Sequence, residues 1–213
     1  MKHPAKYTDV LLPIFQTILE RNQCTTVLDP FAGTGKIHLL PFNTVGIEIE
    51  PEWASLHTRT ICGDATQLPF NANTFDAICT SPTYGNRMAD HHNAKDTSTR
   101  MTYTHTLGRQ LHQNNTGKMQ WGQQYKLMHI KAWQEATRVL KPSGIFILNI
   151  SDHIRKGIVQ QVTDFHIDTI INQGFKLIEH QHISTPRLGF GQHRTKRVVS
   201  ESVITLKKEL VDA

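Results

Sequence analysis

Val27-Leu28-Asp29-Pro30-Phe31-Ala32-Gly33-Thr34-Gly35 reads as a short apolar strand that ends in an acid and runs into a glycine turn. Glycine lets the main chain pass close to a ligand with no Cβ in the way. The pattern predicts strand, turn and helix, the opening of an α/β unit. A dinucleotide site would carry a third glycine three residues after Gly35, where this chain has His38. The turn therefore lacks the usual pyrophosphate cradle and better suits a ligand without phosphate.

Outward from this turn, acids recur at strand ends. Gly46-Ile47-Glu48 places a carboxylate 19 residues after Asp29, close to the spacing of a ribose-binding acid. A carboxylate can accept both vicinal ribose hydroxyls. Gly63-Asp64-Ala65 follows 16 residues later, with Asp64 placed to accept from an adenine amino group. One such acid would read as a cap or a surface residue; three in succession read as a nucleoside site.

The periodicity supplies the remaining elements. Tyr7 to Arg21 predicts an amphipathic helix, with Val10, Leu11, Ile14, Phe15, Ile18 and Leu19 at helical spacing. Thr25–Leu28, Thr44–Ile49, Thr60–Ile61 and Phe75–Cys79 predict short strands. Gln123 to Leu140 predicts a helix stopped by Lys141-Pro142-Ser143-Gly144, and Ile145–Ile150 a buried strand. Val159 to Gln173 predicts another helix, and Phe175–Ser184 and Ser200–Lys207 two long strands. Alternating strands and helices with a terminal strand pair imply a mostly parallel sheet, antiparallel at one edge.

Composition sets the bounds. The 213 residues suit one domain, 1–213, with an insertion at about 86–120. No apolar run approaches the ~20 residues of a membrane span, and the N-terminus lacks a signal-peptide core, so a cytoplasmic protein without membrane contact is expected. Cys24, Cys62 and Cys79 form no CxxC pair and are expected as reduced core residues. The net charge of +5 is compatible with a polyanionic partner without requiring one. Between Asn86 and Gln120, Arg87, Lys95, Arg100, Arg109 and Lys118 face only Asp90 and Asp96; Arg187, Arg194, Lys196 and Arg197 cluster near the C-terminus with no acid between them. A loop as long as 86–120 within a compact domain is usually functional or disordered. Its position after the fourth strand favours function.

Taken with Thr80-Ser81-Pro82-Thr83-Tyr84-Gly85, these motifs resemble the class I S-adenosylmethionine-dependent amino-methyltransferases acting on cytosine N4 or adenine N6 of DNA. Asp29 to Gly35 matches their first motif, Gly46 to Glu48 the ribose motif and Gly63 to Ala65 the adenine motif. His3 to Thr8 is similar to their segment beside the methionine end of the cofactor, or else is a helix lead-in. Ser81-Pro82-Thr83-Tyr84 is similar to their (Asp/Asn/Ser)-Pro-Pro-(Tyr/Phe/Trp) tetrad. The resemblance implies a Rossmann-like class I methyltransferase fold, with a seven-stranded sheet, and S-adenosyl-L-methionine as cofactor. Asp29, Phe31, Gly33, Gly35, Glu48, Asp64 and Ala65 would contact that cofactor, and Ser81, Pro82 and Tyr84 would be catalytic. It also implies DNA methylation, the chemistry of restriction-modification.

The chemistry accounts for the tetrad. An exocyclic amine is a poor nucleophile because its lone pair is delocalised into the ring. Acceptors for both N–H hydrogens, here the Ser81 hydroxyl and the Pro82 carbonyl, favour a pyramidal nitrogen, and such preorganised groups stabilise developing charge. Tyr84 would stack on a flipped base. Thr83 stands in place of the family's second proline, a loss of stiffness. Ser81 at the first position resembles the cytosine-N4 subset. A cytosine-C5 mechanism needs a nucleophilic thiolate, usually in a Pro-Cys pair, and no cysteine here follows a proline.

For the substrate, Arg87, Arg100, Arg109, Arg187, Arg194 and Arg197 are the candidate phosphate contacts, with His91, His92, Tyr103, His105 and Trp121 interleaved in or beside the insertion. No third ligand follows His91-His92 at a sensible spacing, so no metal is expected. Asn149 and Asp152 either line the base pocket or serve as a turn and a helix cap. DNA leads as the partner. An RNA amino-methyltransferase and a nucleic-acid-binding protein with a decayed site are the alternatives, and oligomeric state stays open.

Overall fold

Leu11, Phe15, Ile18 and Leu19 fall on one face of helix α1 (Leu11–Arg21) and are buried there. Asn22 ends it, and Gln23, at φ +54°, turns the chain into the first strand. The structure, a computed structural model, describes residues 8–85, 102–184, 198 and 200–210.

Strands β1 (Thr26–Asp29), β2 (Asn43–Glu48), β3 (Thr60–Cys62), β4 (Phe75–Thr80) and β5 (Leu140–Ile150) run parallel. With β8 (Phe175–Ser184) and β9 (Ser200–Lys208) they make a seven-stranded sheet of order β3-β2-β1-β4-β5-β9-β8. Strand β9 is antiparallel to both β5 and β8, which gives the antiparallel pairing at that end of the sheet. This is the Rossmann-like class I methyltransferase arrangement expected from the sequence. Strand β1 has β2 on one side and β4 on the other, so the chain switches direction there, and α/β sheets bind ligands at such a crevice.

Alternation along the strands feeds two cores. Leu28, Ile78, Phe146 and Leu148 pack with Trp133 and Ala136 of α4 (Gln123–Val139) and Val162 and Ile170 of α5 (Val162–Ile171). Val27, Ala77, Cys79, Ile145 and Ile147 pack against α1 on the other face. Each Val, Leu, Ile or Phe side chain so taken from water contributes about 1.5–3 kcal/mol. Cys24 and Cys79 are buried, as expected; Cys62 is exposed and is not a core residue.

Local structure departs from the sequence reading in four places. After Gly35 there is a single 3-10 turn, Lys36–Leu39, rather than a full helix. Pro41 has no N–H to donate and holds Leu40 extended, and β2 begins at Asn43. Lys141–Gly144 does not separate helix from strand by a free loop. Leu140 pairs with Phe75 and Ile145 with Ala77, so these four residues bulge opposite Asp76, and Lys141 pairs with the Asp76 carboxylate at 2.7 Å. The helix expected from Val159 begins at Val162. Before it, β6 (His153–Arg155) and β7 (Ile158–Gln160) form a separate two-stranded ribbon. Lys156 (φ +50°) and Gly157 (φ +79°) make its turn, the left-handed pair that suits a tight hairpin.

The fourth departure is the insertion, whose described second half is folded. Thr102 caps the short helix α3 (Tyr103–Leu107), with its hydroxyl accepting from the His105 N–H. Tyr103 and Leu111 bury against Trp53 of α2 (Pro51–Ala54), the Tyr103 and Trp53 rings meeting edge to face at 5.1 Å. No helix among the described residues is long and apolar enough to cross a membrane.

Candidate active site

The C-terminal ends of β1 to β4 surround a cavity of about 270 Å³. Its wall takes Phe31 and Gly33 from the β1 turn, Glu48 from β2, and Asp64 and Ala65 after β3. Ser81, Pro82, Thr83 and Tyr84 come after β4, and Asn114 to Thr116 from the insertion. Residues separated by up to 85 positions thus meet in one place. Gly33 and Gly35 hold φ of +55° and +77°, a conformation costly for residues with a Cβ.

Carboxylates dominate this end of the sheet. Asp29 is fully buried; its Oδ1 accepts from the Thr80 hydroxyl (2.6 Å) and the Phe31 N–H (3.0 Å), while its Oδ2 has no partner. Burial pushes the Asp29 carboxyl up to about 7 against those two bonds. Glu48 accepts the Gly33 and Glu50 N–H groups, each at 2.9 Å. Burial, with Glu50 and Asp29 nearby, pushes it up to about 7 as well. Asp64 is different: burial pushes its carboxyl up, but bonds from Thr66 and Asn114 outweigh it and hold it below the usual value.

This donor set can be tested against S-adenosylmethionine, a cationic nucleoside without phosphate. Lys36 is the only basic residue on the described wall, and it pairs with Asp9 at 2.7 Å; Glu48, Asp64 and Glu201 are acidic. The partnerless Oδ2 of Asp29 adds negative potential behind the glycine turn. A pyrophosphate would meet repulsion here, whereas a sulfonium and an ammonium would be stabilised. The residues fit the cofactor. Among the described residues no three His, Cys, Asp or Glu side chains are grouped to hold a metal ion.

The tetrad is held from two directions. Asn149, near the end of β5, shares its side-chain N–H2 among Ser81 Oγ (3.0 Å), Tyr84 Oη (3.4 Å) and Glu201 Oε2 (2.9 Å). The Glu201 carboxylate accepts only, so it fixes which end of the amide faces Ser81. On the other side, Thr83 donates its hydroxyl to Thr116 Oγ1 (2.9 Å), and its carbonyl accepts from the Tyr125 hydroxyl (2.6 Å). Behind Tyr125 stand His166 Nε2 (2.9 Å) and, at His166 Nδ1, the Trp133 Nε1–H (2.9 Å). Trp133 only donates, so Nδ1 accepts and the imidazole proton sits on Nε2. Burial holds His166 well below the usual histidine range, which keeps the ring neutral. The chain therefore runs one way, Trp133 to His166 to Tyr125 to the Thr83 carbonyl. Thr83, which lacks proline's stiffness, is pinned at both its hydroxyl and its carbonyl.

Some sequence expectations are placed differently. Arg109, expected among the phosphate contacts, forms an ion pair with buried Glu50 (2.7 Å) and a second, two-pronged one with Glu52. Its guanidinium braces the insertion against α2 rather than standing free. Asp152 accepts from the Thr163 N–H (2.8 Å) and caps α5, the second of the two roles considered for it. Arg87, Arg100, Arg187, Arg194 and Arg197, along with His91, His92 and His3 to Tyr7, lie outside the described residues. Glu201 and Tyr125 were missed. Neither sits in a recognisable motif, and only the β5–β9 register and the packing of α4 bring them to the tetrad.

Among solved structures, the fold resembles the [4+2]-cyclase SpnF at 14% identity and a TM-score of 0.58, over 97% of this chain and 85% of that one. A SAM-dependent methyltransferase from Methanosarcina mazei is similar at 14% identity and a TM-score of 0.56, over 91% and 98%. TrmN from Thermus thermophilus is similar at 16% and 0.53, over 91% of this chain and 47% of that one. At such identities the likeness is one of fold, and a fold shared by a cyclase and methyltransferases does not select a chemistry. No curated protein sequence matches the chain. The family model described as DNA methylase matches residues 75–208, from the strand that delivers the tetrad to the end of the sheet. That span is more than half of the chain, and the protein belongs to this DNA methylase family.

Proposed function

We propose that this methyltransferase uses S-adenosylmethionine to methylate an exocyclic amino group of a DNA base, cytosine N4 ahead of adenine N6. The observation that carries the reading is the meeting of Ser81 and Tyr84 with Asn149 and Glu201 at the wall of the acidic cavity. The bound cofactor supplies an electrophilic methyl group on a sulfonium. Glu48 and Asp64 take its ribose and adenine, Phe31 and Ala65 flank them, and the turn at Gly33 and Gly35 lets the main chain approach. Asp29 lends negative charge behind that turn.

At the tetrad, one lone pair of Ser81 Oγ is occupied by Asn149, and the other is left to accept an amine hydrogen. The Pro82 carbonyl accepts the second. Tyr84 stacks on the extruded base. With both hydrogens held, the nitrogen lone pair would turn out of the ring plane toward the methyl group, the N–C bond forming as the sulfur–methyl bond breaks to leave a neutral thioether, and the nitrogen's extra proton passing to solvent. Positioning of this kind accounts for a large part of the rate. The basic segments around Arg87 and Arg100 and around Arg187, Arg194 and Arg197 supply the phosphate contacts in this reading. Ser81→Ala and Tyr84→Ala test it: methyl transfer is lost while cofactor affinity, measured by calorimetry, stays within about threefold. Loss of cofactor binding in both variants would remove the catalytic assignment.

A further inference from the structure

The ribbon of β6 and β7 leaves the body at the end of β5, the edge of the sheet that carries the tetrad. It pairs with no strand of the main sheet. Residues 155–159 at its end are exposed; Ile158 is 67% and Val159 51% accessible. As neighbours in one strand they point to opposite faces, so the ribbon is bare on both. Two strands of three residues are marginal in water unless something packs on them, and here the apolar positions face solvent. The stem is fixed. The half-buried His153 ring lies close to the Tyr84 main chain, and the adjacent Asp152 caps α5. The tip carries Arg155 and Lys156, and no acid occurs between His153 and Gln160.

We propose that this hairpin is a DNA-contacting wedge. Ile158 and Val159 enter the duplex beside the target base, and Arg155 and Lys156 pair with the flanking phosphates. The proposal rests on the reading of the substrate as DNA. Three residues at the strand rise reach about 10 Å, comparable with the roughly 7.5–8.5 Å depth of the B-DNA grooves. Apolar side chains wedged between base steps are a known way to unstack a duplex, and extruding a base leaves a gap that such side chains can fill. The closeness of His153 to Tyr84 places the base of the wedge beside the residue proposed to stack on that base. The two cations suit a polyanion and not an apolar protein groove.

The test compares the wild type with Ile158→Ser/Val159→Ser and with Arg155→Gln/Lys156→Gln. Methyl transfer is measured on one unmethylated plasmid, duplex and heat-denatured, and binding to a fluorescein-labelled random 24-mer duplex and to a labelled structured RNA of equal length is followed by anisotropy. The apolar variant is expected to lower the ratio of duplex to denatured-strand rate at least tenfold. The cationic variant is expected to weaken duplex binding and to flatten its log–log salt slope by about 1.8, two phosphate contacts' worth. An unchanged rate ratio together with unchanged binding overturns the wedge even if DNA is methylated. Absent DNA methylation with the binding losses intact would keep the hairpin as a DNA contact and defeat the substrate reading instead. Losses confined to a structured RNA of equal length overturn the assignment to DNA.

Discussion

Tyr125→Phe is the most informative single change, because it removes one oxygen atom and leaves the packing in place. The hydroxyl donates to the Thr83 carbonyl at 2.6 Å and receives the His166 Nε2–H at 2.9 Å, and Tyr125 and His166 are both fully buried. Without it, the buried His166 donor and the partly buried Thr83 carbonyl both lose their partner. A buried group left unpaired costs about 1–3 kcal/mol and the partly buried carbonyl sits at the low end of that range, so the pair costs roughly 2–4 kcal/mol. The imidazole cannot adjust by moving its proton, since Trp133 already occupies Nδ1 as a donor. For a chain of this length 1 kcal/mol shifts Tm by about 2–4 °C, so even the low end predicts a fall of roughly 4–8 °C. Release of the Thr83 carbonyl also loosens the tetrad, and a loss of 1.4 kcal/mol in transition-state positioning is about tenfold in turnover. Differential scanning fluorimetry and methyl-transfer assays read the two effects, with cofactor affinity as the control. His166→Gln, which can still donate and accept, should lose less than His166→Leu. A Tyr125→Phe protein that melts within 1 °C of wild type and turns over at the same rate would refute the directional chain.

Other predictions follow from the carboxylates and the turns. Asp29 and Glu48 are both raised to about 7 in the free protein, so a cationic cofactor should bind more weakly as pH falls through 7, by up to about tenfold per unit for each group; calorimetry at pH 6 and 8 should find this together with proton release. Because each carboxyl is raised on folding, it stabilises the fold fully below about 4 and loses that contribution as pH climbs through about 7; the Tm of Glu48→Gln relative to wild type should therefore improve between pH 5 and 8. A Cβ at Gly46 would lie 2.7 Å from Ala32 Cβ and 2.9 Å from Thr60 Oγ1, so Gly46→Ala should cost about 1–3 kcal/mol and weaken cofactor binding, measurable by denaturant titration and calorimetry. Arg109→Ala leaves the fully buried Glu50 without its ion pair while Glu52 is partly solvated; it should destabilise the protein by about 1–3 kcal/mol, discounted for the exposed side of the pair. The salt slope of DNA binding should not change in that variant, in contrast to a residue that touches phosphate.

The cofactor half of the site was legible because its parts are local. Asp29 to Gly35, Gly46 to Glu48 and Gly63 to Ala65 each carry their own strand-end acid and glycine, and the fold places all three at one edge of the sheet. Ser81 to Tyr84 was legible for the same reason. The supports were not. Glu201 reaches Asn149 only through the antiparallel register in which Ile150 faces Ser202, and a register is not written in either strand alone. Tyr125, His129 and Trp133 look like one buried helix face, which they are; that one of them clamps the tetrad depends on His166, 41 positions from Tyr125. The ion pairs of Arg109 were not legible, because charge along a sequence does not show which cations already have a carboxylate. The hairpin at His153–Gln160 left a signal, Lys156-Gly157 between Ile154 and the pair Ile158-Val159, but the helical periodicity that follows overran it.

The most direct measurement is transfer of a labelled methyl group from S-adenosylmethionine to unmethylated DNA, with transfer and ribosomal RNA in parallel and the product nucleosides identified by mass. The account predicts label in DNA as N4-methylcytosine, or as N6-methyladenine if the serine at position 81 does not set the base, and none with Ser81→Ala. Label found only in RNA, or in DNA at a ring carbon, would contradict it.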